Sequence, residues 1–162
     1  MVKVLITGGA GYLGSVLSSY LLHKKYSVTV LDNLMYHQTS LLHLCSDSNF
    51  YFIKGDVTDF EYLKDLIHEY DIVIPLAAIV GAPACDDNEI LATKLNFEQI
   101  KIIVDNLKTN QKLIMPNTNS QYGSSKNIIT EDSPFNPLSH YAKTKCDAEN
   151  YIMKSGKGIC LR

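Results

Sequence analysis

Two short stretches hold residue types whose spacing could do chemistry. "TGGAGYLG" places Gly8, Gly11 and Gly14 in a G-x-x-G-x-x-G arrangement directly after the apolar run "VKVLI". A glycine at such a turn permits positive φ, a second lets backbone amides approach a pyrophosphate, and a third lets a helix start close against a strand. Tyr12 and Leu13, between the later glycines, fall at the same anion-facing helix start. "SHYAKTK" places Tyr141 and Lys145 four apart, and so on one face of a helix. A phenol beside an ammonium is a candidate acid–base pair, because the cation favours the phenolate. Spacing alone does not select this pair, since Tyr20/Lys24 and Tyr122/Lys126 repeat it. Tyr20 sits well along the first helix, away from the strand ends, and "YGSSK" is too rich in Gly and Ser for a continuous helix. Tyr141 falls near a helix start after a long irregular stretch.

Between these stretches lies "PNTNSQYG", Pro116 to Gly123, following "KLIM". Taken alone, a run of Asn, Thr, Ser and Gly is a loop. At the end of a strand beside Tyr141, the Thr118 hydroxyl would instead hold an oxygen that changes between alcohol and ketone.

The elements that must position these groups follow from the apolar pattern. Flat, β-branched or aliphatic runs at 2–6, 27–31, 50–54, 71–76, 112–115 and 158–162 read as strands buried on both faces. Helix-length segments lie between them at about 12–25, 59–69, 88–109 and 140–154, the second capped by Asp59 and the last by Ser139 after Pro137. Strands alternating with helices imply right-handed crossovers and a doubly wound parallel sheet in three α/β/α layers. The irregular stretches at about 33–49 and 117–138 are long enough to suggest function.

In such a sheet Asp32, at the end of the second strand, falls where a carboxylate accepts hydrogen bonds from an adenosine ribose; a turn residue beside Asn33 is the alternative. The carboxylate would repel a 2′-phosphate, which favours NAD over NADP. Asp56 and Val57, in "GDVTD", could flank an adenine.

Composition narrows the partners. With 162 residues, 46% of them hydrophobic, the chain can bury one domain's core, and its net charge of -2 comes from dispersed charges of both signs. No basic face is offered to nucleic acid, and no polybasic segment or apolar run of about 18 residues to a membrane. Cys45, Cys85, Cys146 and Cys160 form no C-x-x-C pair and read as reduced thiols of a cytoplasmic protein, and the five histidines have no metal-ligand spacing.

Taken together, "TGGAGYLG", Asp32, "GDV", "PLAA", Asn96 in "KLNFEQ", Thr118 four residues before Tyr122 of "YG", and "YAKTK" resemble the extended short-chain dehydrogenase/reductase superfamily, in particular its NAD-dependent nucleotide-sugar epimerases and dehydratases. The resemblance runs from Val2 to Arg162 and implies an NAD(P)-binding Rossmann fold. The runs "DNLM" and "IPLAAIVGAP" look closer still to a bacterial branch acting on heptose or hexose nucleotides. By resemblance, Leu76, Ala77 and Ala78 line the adenosine side, Asn33 adjoins the cofactor and Asn96 supports the active site. Thr118, Tyr141 and Lys145 are the catalytic set, with Tyr141 and Lys145 also touching cofactor.

The implied activity is oxidation or epimerisation at C4 of a nucleotide-activated sugar. Family dehydratases carry an Asp-Glu pair or a Glu just after the threonine; Asn119 and Ser120 stand there instead and can do no acid–base work at neutral pH. A dehydratase or reductase is therefore the second enzyme reading, and a non-catalytic dinucleotide-binding scaffold the third. The helices near 88–109 and 140–154 are those that pair in the family's homodimers. In the family a further stretch carries most of the substrate lobe, so this chain is expected to be the cofactor half, binding NAD weakly or moderately and turning over little substrate. Cys85, Ile79 and Val80, in the loop after the fourth strand, are expected to pack.

Overall fold

A computed structural model describes residues 1–162. Six parallel strands, β1 (Lys3–Thr7), β2 (Ser27–Asp32), β3 (Phe50–Lys54), β4 (Ile72–Pro75), β5 (Lys112–Pro116) and β6 (Gly158–Leu161), form one sheet in the order β3-β2-β1-β4-β5-β6. The helices are α1 (Tyr12–His23), α2 (Phe60–Leu66), α3 (Ala82–Asp87), α4 (Glu89–Thr93), α5 (Gln99–Asn106) and α6 (His140–Ser155). All six expected strands form, and the doubly wound α/β reading stands.

Register explains the layering. Val4 aligns with Val28 and Ile72, and Ile6 with Val30 and Ile74, so these side chains share a face with α1 and pack with Leu22, Leu41 and Leu44. Leu5, Leu31, Val73, Leu113 and Met115 alternate to the other face and meet α2, α4, α5 and α6 through Leu63, Ala92, Ile103, Ala148 and Ile152. The first face is covered by α1, which lies over β1 and β2, together with the turn that carries Leu41 and Leu44. Ile159 and Leu161 on β6 are therefore left 53% and 56% exposed.

That corrects the expectation of strands buried on both faces. It holds for β1, β2 and most of β4, but β3 and β6 are the sheet's edges, and Tyr51 on β3 is 55% exposed. Asp59 and Ser139 cap as expected, accepting from the backbone N–H of Tyr62 and Ala142. The helix expected at 88–109 is helical from Glu89 to Asn106, but with a π-helical turn at Lys94–Glu98. It ends where Leu107 turns to extended backbone. The loop after β4 contains α3, opened by Gly81 at φ 91 and Pro83 in its first turn. Cys85 and Ile79 pack there as expected; Val80 does not, being 70% exposed. No helix is long and apolar enough to cross a membrane.

Candidate active site

Strand order reverses between β1 and β4, and the crevice above that switch point is where doubly wound sheets bind ligands. A cleft of about 500 Å3 opens there. Its floor is the glycine loop, its walls the ends of β2 and β4, and its far end α6.

The glycine loop is shaped by how closely backbones pass. Gly8 has φ +68, and a Cβ there would lie 2.5 Å from the Ala77 nitrogen, two residues beyond β4. A Cβ on Gly14 would lie 2.4 Å from the Gly9 Cα, so helix and loop touch where the third glycine was expected. Gly9, which sequence reasoning passed over, is held as tightly against Val30. Gly11 caps α1 without any side-chain hydrogen bond, which leaves the first helical amides free for an anion. Tyr12, Leu13 and Gly14 line the same part of the cleft.

Asp32 closes one end of the crevice at 7% exposure. Its Oδ2 accepts from Ala10 N at 3.0 Å and its Oδ1 from Leu34 N at 2.8 Å, so the carboxylate straps the glycine loop to the end of β2. Each oxygen retains a second lone pair for a hydroxyl donor. Asn33 lines the cleft beside it and donates to Asp56 Oδ2 at 2.9 Å. Burial works to raise the Asp56 carboxyl. Hydrogen bonds from the Thr58 backbone, the Asn33 amide and the Thr58 hydroxyl outweigh it and hold the group below its usual value. Val57, Leu76, Ala77 and Ala78 line the wall, whereas Asp56 does not reach it.

At the far end, Tyr141 and Lys145 both line the cleft from α6. Lys145 is 7% exposed and donates to the Pro116 carbonyl at 3.1 Å. Burial lowers its pKa, opposed by the nearby Cys160 and Glu149. Burial raises the Tyr141 phenol, a hydrogen bond with Thr118 draws it back, and Cys85 adds a smaller push upward. The ammonium thus points to the end of β5 and not to the phenol. The Thr118 hydroxyl accepts from Ser120 N at 3.1 Å and can donate to Ser120 Oγ, also at 3.1 Å, or turn to Tyr141. It sits beside the cleft and not in its wall.

Asn96 lies in the π-helical turn, outside the cleft, 2% exposed. Its Oδ1 accepts from Ile79 N at 3.0 Å and its Nδ2 donates to Ile79 O at 2.9 Å, fixing the chain that leaves β4 along the cleft wall. Nδ2 also approaches Thr144 Oγ1 at 3.4 Å, one residue before Lys145. A π-helical turn inside an α-helix often marks a functional site.

The cleft also takes in residues that motif reading did not nominate. Met35, Tyr36 and Gln38 come from the irregular stretch after β2, whose length was the available signal. Gly55, Pro75, Val80, Leu95, Pro116 and Asn117 complete it. Lys145 is the only cation among the lining residues, so the Asp32 end offers no positive charge to a 2′-phosphate.

Comparison with known proteins identifies the family and the fold. Residues 4–158 match the model of the NAD dependent epimerase/dehydratase family. The chain is 32% identical over 131 residues to UDP-N-acetyl-alpha-D-glucosaminuronate decarboxylase of Bacillus cytotoxicus, covering 80% of this chain and 40% of that one. It is also 32% identical to dTDP-D-glucose 4,6-dehydratase of Dictyostelium discoideum, covering 98% of this chain and 41% of the relative. Among solved structures, UDP-glucuronic acid 4-epimerase from Bacillus cereus, in complex with UDP-glucuronic acid and NAD, superposes with a TM-score of 0.89 at 28% identity. That match covers 99% of this chain and 56% of the epimerase. The chain thus spans about half the length of the proteins it matches.

Proposed function

Since the chain belongs to the NAD dependent epimerase/dehydratase family, we propose that it holds NAD in the cleft and carries the catalytic groups for oxidation at C4 of a nucleotide-activated sugar, as an epimerase or 4-dehydrogenase. The observation that carries this reading is that the glycine loop, Asp32, Tyr141 and Lys145 all line one cleft at the sheet's switch point. Bound NAD would supply the hydride acceptor.

The chain's own residues would do the rest. Gly8, Gly11 and the free amides at the start of α1 hold the pyrophosphate, and Asp32 accepts from the ribose hydroxyls. Tyr141 removes the proton of the sugar hydroxyl, and Thr118 hydrogen-bonds the same oxygen so that charge building on it is stabilised. Lys145 binds the second ribose with its ammonium. Burial, with a smaller push from Cys85, sets Tyr141 against ionising, so the phenol needs the Thr118 hydrogen bond and nearby positive charge to act as a base. Asn119 and Ser120, beside Thr118, supply neither acid nor base, and this places a 4,6-dehydratase second. We further infer cytoplasmic placement and a homodimer through α4, α5 and α6, to be checked by sedimentation.

The test is thermal denaturation with NAD or NADP, together with spectroscopy of nucleotide released on denaturation. At about 100 times its dissociation constant, NAD should stabilise the chain by about 2.7 kcal/mol. An equal rise with NADP would overturn the Asp32 assignment, and no rise with either nucleotide, with none released, would overturn the cofactor reading.

A further inference from the structure

Behind Thr118 lies a buried ionic hub to which none of the steps above assigns a role. Glu149, one helical turn beyond Lys145 on α6, is 2% exposed. Its Oε1 accepts from Arg162 Nε at 2.9 Å and from Nη2 at 2.5 Å, and its Oε2 accepts from Asn117 Nδ2. Asn117 is the residue before Thr118. Its Nδ2 also reaches Gln121 Oε1 at 3.1 Å and the Lys145 carbonyl at 3.5 Å, and its backbone N–H donates to Leu161 O at 2.6 Å.

Arg162 extends the hub outward. Its Nη1 donates to Tyr122 Oη at 2.5 Å and to the Glu131 carbonyl at 2.8 Å, and its guanidinium lies 5.6 Å and 5.2 Å from the Tyr122 and Phe135 ring centres. One carboxylate therefore joins the end of β5, the short helical turn at Asn119–Tyr122, the stretch leading to α6, α6 itself and the residue after β6. Both carboxylate oxygens accept, one from Arg162 and one from Asn117, so a glutamine, with a single acceptor oxygen, cannot serve both donors and loosens the hold on Asn117.

We propose that Glu149, clamped by Arg162, is a positioning residue of the active site: it fixes Asn117, which lines the cleft with Tyr141, and through it sets the place of Thr118, the next residue in the chain. The role rests on reading Thr118 and Tyr141 as the reacting pair. It is tested without nucleotide or sugar, so a failed cofactor assay and a failed positioning test report separately.

The measurement is the titration of Tyr141, followed by NMR of 13Cζ-labelled tyrosine in the 162-residue chain and assigned with Tyr141→Phe. Thr118→Val should move the Tyr141 titration to higher pH, because it removes the hydrogen bond that draws the phenol down. Glu149→Gln and Asn117→Ala should each move it the same way, and neither should add to the Thr118→Val shift in a double variant. Glue that merely stabilises the fold would lower the melting temperature and leave Tyr141 where it was. That outcome overturns the proposal, as would shifts that add in full or a Thr118→Val variant with no shift. If Glu149→Gln does not fold, Asn117→Ala decides, because it leaves the Glu149–Arg162 pair intact.

Discussion

The two ends of the cleft are built by different means. The glycine-loop end is held by backbone: Gly8, Gly9 and Gly14 pass within van der Waals limits of Ala77, Val30 and each other, and Asp32 ties down two main-chain N–H groups. The Tyr141 end is held by side chains, with Asn117, Glu149 and Arg162 bonded across 45 positions of sequence. The glycine contacts fail when a Cβ intrudes and carry no charge of their own to titrate. A buried side-chain device tolerates small steric changes and fails when its charge is lost.

Gly8→Ala breaks the first device and carries the largest expected effect. The left-handed backbone costs a non-glycine residue about 1–2 kcal/mol, and overlap with the Ala77 backbone adds about 1–3 kcal/mol. A loss of about 2–5 kcal/mol, read as a fall in the urea midpoint, should be the same at pH 7 and pH 5. A fall under about 1 kcal/mol would mean that β4 and the loop move apart easily, and that the close approach is no constraint.

Arg162→Met breaks the second device. Removing one partner of a buried pair costs about 3–5 kcal/mol, and the low end applies because the Arg162 side chain is 23% exposed. This loss should depend on pH. Burial pushes the Glu149 carboxyl up, but hydrogen bonds from Arg162, Asn117 and Gln121 and the Arg162 charge hold it below its ordinary value. A group with a depressed folded pKa contributes stability that is present above its unfolded value, about 4.3, and lost as pH falls through the folded value. The wild-type chain should thus lose this contribution below about pH 4.3, and the difference between Arg162→Met and wild type should narrow there. A difference that stays constant with pH would show that Arg162 acts through its packing on Tyr122 and Phe135 alone.

The same contrast explains what the sequence made legible. The glycine loop, Asp32 and the six strands show as motifs because each is local: a residue's neighbours in sequence decide its role. Glu149 and Arg162 were passed over because each alone looks like an ordinary charged residue, and only the fold brings them to Asn117. The π-helical turn at Asn96 was hidden for a related reason, since periodicity reads its helix as continuous. Val80 was expected to pack on the strength of its side chain, but it stands 70% exposed in the cleft lining, next to the Gly81 turn. Tyr51 on β3 is exposed because strand order, not strand composition, decides which runs lie at an edge.

A smaller pair of changes asks whether the Tyr141 end is sensitive beyond its share of stability. Ser139 and Asp59 make the same kind of cap, each accepting from a backbone N–H three residues on. Replacing either with alanine should cost about 1 kcal/mol. For a chain of this size that is about 2–4 °C in melting temperature. Asp59 opens α2, away from the cleft, while Ser139 opens α6 two residues before Tyr141. If side chains locate the reacting groups, Ser139→Ala should also change the Tyr141 titration, because fraying the first turn of α6 frees the phenol from Thr118. Asp59→Ala should leave that titration unchanged at matched stability. Equal responses in both variants would mean that Tyr141 follows the fold as a whole, and that the second device has no local authority over the group it holds.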